Sequence, residues 1–113
     1  MATKKTTKAS KTKAGPVSMI GKEVIIRSYG AGVFHGTLSM CDRATATVQL
    51  RDATRLYYWP VAEMTGQVSS CSELAAYGIK KASAKLGAKL STHEIGGVIE
   101  IIPLSAEAVE TFR

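Results

Sequence analysis

Four short segments typical of β-strands follow one another between residues 21 and 60, separated only by turns. Each combines β-branched or aromatic residues with an alternation of apolar and polar positions, the pattern of a half-buried strand. The segments cover residues 21–29, 33–40, 45–51 and 55–60, and Gly30 and Gly32 mark the first turn. The pattern therefore predicts a meander of four consecutive strands.

The second half of the chain adds two helices and two strands. After a loop over residues 61–69, Ser70 and Glu73 form a capping box that starts a short helix ending near Gly78. Strands are expected at residues 88–95 and 98–103, and Ser105 caps a last helix over residues 106–112. The sequence thus predicts an α+β fold: a mainly antiparallel sheet, or a small partly open barrel, of about six strands with two short helices.

The first 16 residues differ from the rest in composition. They contain five lysines and no acidic residue, with Ala, Thr and Ser between them. Such a segment buries too little apolar surface to order itself, so we expect a disordered tail at 1–16 before a single domain at 17–113. It is either a polyanion-binding arm or a solubilising leader. The tail lysines are Lys4, Lys5, Lys8, Lys11 and Lys13. Without these five, the 15 basic residues fall to ten against nine acidic ones, so the domain itself is nearly neutral.

The aromatic segment at residues 55–60 is the best candidate for a binding surface. Alternation along a strand places Leu56 and Tyr58 on one face, and Arg55, Tyr57 and Trp59 on the other. Rings beside a guanidinium suit stacking on exposed bases, although the same rings also suit a core or a subunit interface. The candidate ligand-binding residues are Arg27, Arg51, Arg55, Tyr57, Trp59, Lys80 and Lys81.

The motifs of several protein classes are missing from the sequence. His35 and His93 stand in no metal-ligand spacing, and phosphate-binding loops, dinucleotide fingerprints and nucleophile elbows are absent. We therefore predict a protein that is not an enzyme and that uses no metal or cofactor. Cys41 and Cys71 are expected to be reduced thiols. Neither a signal peptide nor an apolar run long enough to cross a membrane is recognised, which favours a cytoplasmic protein.

Residues 20–112 resemble a family of small phage and prophage proteins of the domain-of-unknown-function type. The motifs that carry the resemblance are Val24–Arg27 with Ala31–Gly36, Arg55–Trp59, Ser72–Gly78 and Ile99–Pro103, which is followed by a short acidic helix. The lysine-rich tail departs from the family pattern. The resemblance implies a phage setting, in the cytoplasm of an infected host cell, and no catalytic residues. By analogy it also implies a role in infection, such as opposing host defences.

Three functions fit these observations. The first is nucleic-acid binding, in which the tail contacts phosphates and the aromatic strand stacks on bases. The second is a sponge that sequesters a small nucleotide signal of host immunity, in a pocket formed between subunits of a homo-oligomer. The third is a structural protein associated with the virion, whose aromatic face is a protein interface.

Overall fold

The computed structural model of the chain describes residues 18–61 and 70–113. The predicted tail and nearly all of the predicted loop after Pro60 lie outside these residues. The described part contains one sheet of five antiparallel strands, which are β1 (Glu23–Ser28), β2 (Gly32–Asp42), β3 (Thr47–Tyr58), β4 (Lys85–Ile95) and β5 (Val98–Pro103). Their spatial order in the sheet is β4-β3-β2-β1-β5. The helices are α1 (Cys71–Tyr77) and α2 (Ala106–Thr111), with one 3-10 turn at Lys81–Ser83.

The strand count is five rather than the predicted six, because two predicted strands are one. The segment 52–54, expected to be a turn, lies inside β3, which runs through 12 residues. Asp52 takes a left-handed conformation with φ 52°. There the register between β2 and β3 shifts, since Thr37 pairs with Arg51 and His35 with Thr54. Two residues of β3 thus oppose one residue of β2, which is a β-bulge and not a chain reversal.

The residue opposite this bulge is Gly36, which lies in the middle of β2. A Cβ atom at this position would stand 3.1 Å from the carbonyl oxygen of Arg51 and 3.1 Å from the Cβ of Leu50. A side chain here would therefore force the neighbouring backbone of β3 to move by a few tenths of an ångström, and glycine avoids this. A bulge of this kind bends its strand and increases the local twist.

The sheet is strongly curled but not closed. Strands β4 and β5 lie at opposite edges of the sheet, yet only Gly96 and Gly97 connect them. The edges must therefore approach each other at this corner, where Val98 N–H donates to the Ala46 carbonyl at 2.9 Å and Tyr29 N–H to the Gly97 carbonyl at 2.8 Å. Within residues 18–61 and 70–113, no ladder joins β4 to β5. The predicted α+β class and predominantly antiparallel sheet are confirmed.

Each face of the sheet carries its own apolar core. The concave inner face buries Phe34, Leu38 and Leu50 against Ile95, with Val98 and Ile101 from β5 packed beside them. The outer face is covered by the two helices, so that Ile25 and Leu56 pack against Leu74 and Phe112. Strand β1 is buried on both sides, because Val24, Ile25 and Ile26 are each 0% exposed. Each such side chain stabilises the fold by about 1.5–3 kcal/mol.

Both helices begin as their capping residues predict. The Ser70 hydroxyl accepts the backbone N–H of Glu73 at 3.2 Å, and the Ser105 hydroxyl accepts that of Ala108 at 3.0 Å. Helix α1 ends at Gly78, whose φ of 94° and ψ of −170° lie in a region that only glycine adopts readily. The Ser105 hydroxyl also donates to the Ala76 carbonyl at 2.8 Å, which ties the two helices together.

Cys41 and Cys71 are both free thiols, as predicted. Burial raises the pKa of the Cys71 thiol. Among the helices described, none has the length and apolar character needed to cross a membrane.

Candidate functional site

A pocket of about 180 Å³ opens on the inner face of the sheet, between the second half of β3 and β4. Strand β3 supplies Ala53, Arg55 and Tyr57, which share one face because they alternate after the bulge at Asp52. Strand β4 supplies the opposite wall, including Gly87, Leu90 and His93. The pocket therefore contains one guanidinium, one phenol and one imidazole on a partly apolar floor.

Arg55 is held in the pocket by an aromatic ring and not by an acid. Its Cζ lies 4.8 Å from the ring centroid of Phe34, which is fully buried. A cation placed over a ring is attracted by the negative π face. Among the described residues no carboxylate forms an ion pair with Arg55, and its buried Nε has no hydrogen-bond partner. The guanidinium is therefore not committed to any acceptor in this part of the chain.

Tyr57 presents a braced ring to solvent. Its side chain is 64% exposed. A Cβ atom at Gly87 would stand 3.3 Å from Cε2 of Tyr57, so the ring lies directly against the backbone of β4. Glycine at this position leaves the space that the ring occupies. One surface of the ring is thus supported by the sheet while much of the side chain remains accessible to a ligand.

His93 completes the pocket from β4. Its ring meets Phe34 edge to face, with centroids 5.1 Å apart and an interplanar angle of 83°. Phe34 therefore fixes both the arginine and the imidazole. The sequence patterns gave no sign that His93, Gly87 or Leu90 belong to a site. Only the pairing of β4 with β3 brings these residues beside Arg55 and Tyr57.

The structure separates the other predicted binding residues from this pocket. Arg51 precedes the bulge and follows the inward Leu50, so it is exposed on the outer face of the sheet. Arg27 pairs with Glu100 at 3.0 Å, two strands away from the pocket. Lys80 and Lys81 are exposed before β4, and the Lys81 Nζ donates to the backbone oxygens of Phe112 and Arg113 at 3.2 and 3.1 Å.

Trp59 does not share a face with Arg55 and Tyr57, so that prediction is wrong. Strand β3 ends at Tyr58, and the alternation ends with it. The half-buried indole packs against the outer core, which includes Leu56 and Val61. Its Nε1 is buried without a hydrogen-bond partner among the described residues. Exposed lysines are found instead on β4, where Lys85 pairs with Tyr58 and Lys89 with Thr54.

A second cleft lies at the open corner of the sheet, between β5 and the turn from β2 to β3. It measures about 220 Å³ and is lined by Met19, Cys41 and Ile101 among others. Asp42, Arg43 and Glu100 also line this cleft, and none of its lining residues in the described part of the chain is aromatic. An anionic ligand would meet two carboxylates there, whereas no described residue of the pocket between β3 and β4 carries a carboxylate.

A polar cluster around Glu23 fastens the end of α2 to the sheet. Glu23 Oε1 accepts His35 Nε2 at 3.0 Å, and Arg113 donates to both carboxylate oxygens at 3.2 and 2.9 Å. The His35 ring stacks on Phe112 with centroids 4.0 Å apart. Burial lowers the pKa of His35 despite the neighbouring carboxylate. Burial also acts to raise the pKa of Glu23, but the hydrogen bonds and charges of Arg113 and His35 together lower it. These groups satisfy one another, so the cluster is structural.

No three His, Cys, Asp or Glu side chains come together as a possible metal site in the described ranges.

The fold and the pocket define a class of protein: a small, curled α+β domain with a shallow cationic and aromatic pocket on its sheet. Residues 21–112 match the family described as "Domain of unknown function (DUF6948)". This chain belongs to that family, which confirms the predicted domain-of-unknown-function type. No curated protein matches the chain.

Proposed function

We propose that the protein binds nucleic acid without catalysing a reaction on it. The observation that carries the proposal is the guanidinium of Arg55, which has no acceptor among residues 18–61 and 70–113, beside the exposed ring of Tyr57. Proteins that bind nucleic-acid strands combine such cations with rings on which bases stack. Among the residues that the structure describes, no carboxylate, serine or cysteine lines the pocket beside His93, and we therefore propose a binding role for it.

The lysine-rich tail supplies the second part of the affinity in this proposal. Each lysine that contacts a phosphate releases a condensed counterion, which makes binding depend on salt. Five contacts would give a slope of log K against log salt of about −4.5 on duplex DNA and about −3.5 on single strands. The nearly neutral domain would add little to this slope. The tail and the pocket therefore contribute separable components of binding.

The proposal is tested by fluorescence anisotropy with labelled oligonucleotides over a range of salt concentrations. Replacing the five tail lysines by glutamine should flatten the salt slope by most of its value. Replacing Tyr57 by Ala should weaken binding and leave the slope unchanged. Tyr77→Ala is the matched control, because Tyr77 is also exposed but lies at the end of α1. Absence of binding to every oligonucleotide at low salt would refute the proposal.

The second candidate function is sequestration of a small nucleotide. The observation that favours it is the size of the pocket, since about 180 Å³ suits part of one nucleotide and not an extended groove. A nucleotide that binds the folded state alone raises the melting temperature, so a panel of cyclic and linear nucleotides tests this function directly. No shift with any of them at high concentration would exclude those ligands.

We place either function in phage infection of a host cell, on the strength of the sequence resemblance described above. Expression of the protein in bacterial cells followed by identification of copurifying molecules tests this setting. Copurification of nucleic acid supports the first function, and copurification of a nucleotide supports the second. Homo-oligomer formation stays a prediction that sedimentation analysis of the same sample will check.

A further inference from the structure

The pocket between β3 and β4 is a depression in the inner face of the sheet, and this shape selects among nucleic acids. Reading a duplex requires a protruding element, a helix or a two-stranded ribbon, that enters a groove about 12 or 6 Å wide. The guanidinium of Arg55 and the ring of Tyr57 lie instead on the inner face of a curled sheet, beside a depression of about 180 Å³. Such a depression can bind a base or a phosphate that projects from the ligand.

In a duplex the flat faces of the bases are covered by their neighbours, and only their edges reach the grooves. In a single strand the bases can turn outward and expose their faces. The Tyr57 ring contacts the backbone of β4 near Gly87 through Cε2, while 64% of the residue's surface remains accessible. This arrangement can stack on an unpaired base and has no counterpart to stack on in a duplex.

The cation and the ring come from neighbouring positions on one strand. Arg55 and Tyr57 are separated by one residue on the same face of β3, so their Cα atoms are about 7 Å apart and both side chains line the same pocket. A single nucleotide carries a base and a phosphate, one group for each of these side chains. Phe34 holds the guanidinium in place before the ligand arrives, which reduces the entropy lost on binding.

We propose that this pocket accepts one unstacked nucleotide of a single-stranded nucleic acid, with the base on Tyr57 and a phosphate on Arg55. His93 lies on the opposite wall, where its ring nitrogens can hydrogen-bond to the edge of the base or to the sugar. Since every base has a π face, the pocket tolerates any sequence. This inference rests on the proposed nucleic-acid binding.

The test compares four ligands on the full chain by anisotropy and competition: a labelled single strand, its duplex, a nucleoside monophosphate and inorganic phosphate. The single strand should bind more tightly than the duplex. The mononucleotide should compete weakly, and phosphate should compete least. A free nucleotide and a single strand both offer a base and a phosphate. Comparing their affinities shows which of the two is the ligand.

Three variants locate the binding. Tyr57→Ala should weaken single-strand binding about 5- to 150-fold, the equivalent of one stacked base, and leave duplex binding unchanged. Tyr57→Phe should retain single-strand affinity, because stacking requires the ring and not the hydroxyl. Gly87→Val should weaken single-strand binding with Tyr57 still present, since a side chain there displaces the ring. Melting temperatures of all variants verify that they fold.

Different outcomes would overturn the single-strand pocket and the proposed nucleic-acid binding. Equal binding of single strand and duplex, with Tyr57→Ala without effect on either, would overturn the inference and leave the proposed function standing. A mononucleotide that binds as tightly as the strand would also overturn the inference, since the ligand would then be the free nucleotide. No binding to any nucleic acid would overturn the proposed function itself.

Discussion

Replacing Gly78 by Ala should destabilise the protein strongly, because two separate effects act at this position. Gly78 has φ 94° and ψ −170°, a conformation that costs a residue with a side chain about 1–3 kcal/mol. A Cβ atom there would also lie 2.3 Å from Oγ1 of Thr111, so this side chain must move. That hydroxyl accepts the buried backbone N–H of Ile79 at 2.9 Å and donates to the Ala108 carbonyl at 2.6 Å.

The expected loss follows from these two effects. Leaving the Ile79 N–H without an acceptor costs about 1–3 kcal/mol. Together with the backbone strain, Gly78→Ala should lower the free energy of unfolding by about 2–6 kcal/mol, a large part of the roughly 5–15 kcal/mol of a typical domain. In urea the unfolding midpoint should fall by about 1–3 M with little change in slope. Circular dichroism during urea titration measures both quantities.

A double-mutant cycle tests the reasoning behind this value. Thr111→Ala alone should cost about 1–3 kcal/mol, through the same loss of the acceptor for Ile79. If Gly78→Ala has already displaced the Thr111 side chain, then adding Thr111→Ala should lower the free energy of unfolding by less than about 0.5 kcal/mol more. Strictly additive losses would refute the proposed displacement. A loss below about 1 kcal/mol for Gly78→Ala alone would refute the assigned backbone strain.

Three further changes should have measurable effects on stability. Gly36→Ala should cost about 1–3 kcal/mol in urea unfolding, because its Cβ presses on the backbone of β3, whereas Gly30→Ala, with nothing within 4 Å, should be nearly neutral. Phe112→Ala should cost about 3–5 kcal/mol, since it empties the outer core and removes the ring stacked on His35, and a loss below 1 kcal/mol would contradict this packing. Burial lowers the pKa of His35, so on acidification the unfolded chain takes up this proton at a higher pH than the folded protein does. The free energy of unfolding should therefore fall as the pH drops below 6.5, and His35→Phe should remove this fall. The lowered pKa of Glu23 should produce a second fall below pH 4.5, and urea midpoints between pH 3 and 8 follow both.

The features of the fold that depend on neighbouring residues were predictable from the sequence. Gly30 and Gly32 mark the first hairpin, and Ser70 and Ser105 start the two helices as expected. These signals are local, since a turn or a cap is formed by residues within four positions of one another. The five-stranded sheet was missed because the segment at Asp52 has the composition of a turn. The chain continues through this bulge without reversing, because the flanking residues Arg51 and Thr54 pair with β2 and β4, and such pairing is not encoded in the local sequence.

Only the part of the candidate site that lies within one strand was predictable from the sequence. Arg55 and Tyr57 share a face through simple alternation within one strand, and the sequence predicts this. Trp59 was misplaced because the alternation was extended beyond the end of the strand at Tyr58. Gly87 and His93 lie at least 30 positions further along the chain than Tyr57 and Arg55. Their place beside these residues depends on the order of strands in the sheet.

The two-glycine link between opposite edges of the sheet has a consequence for biosynthesis. Strands β1 to β3 leave the ribosome first, but Ile95, Val98 and Ile101, which complete the inner core, arrive with β4 and β5. Strand β5 pairs with β1, so Ile26 must wait for Ile101, 75 positions later in the chain. Such distant pairings form slowly. The nascent chain therefore exposes an apolar strand surface until β5 has emerged, and chaperones that bind extended apolar segments are expected to act on it during this interval.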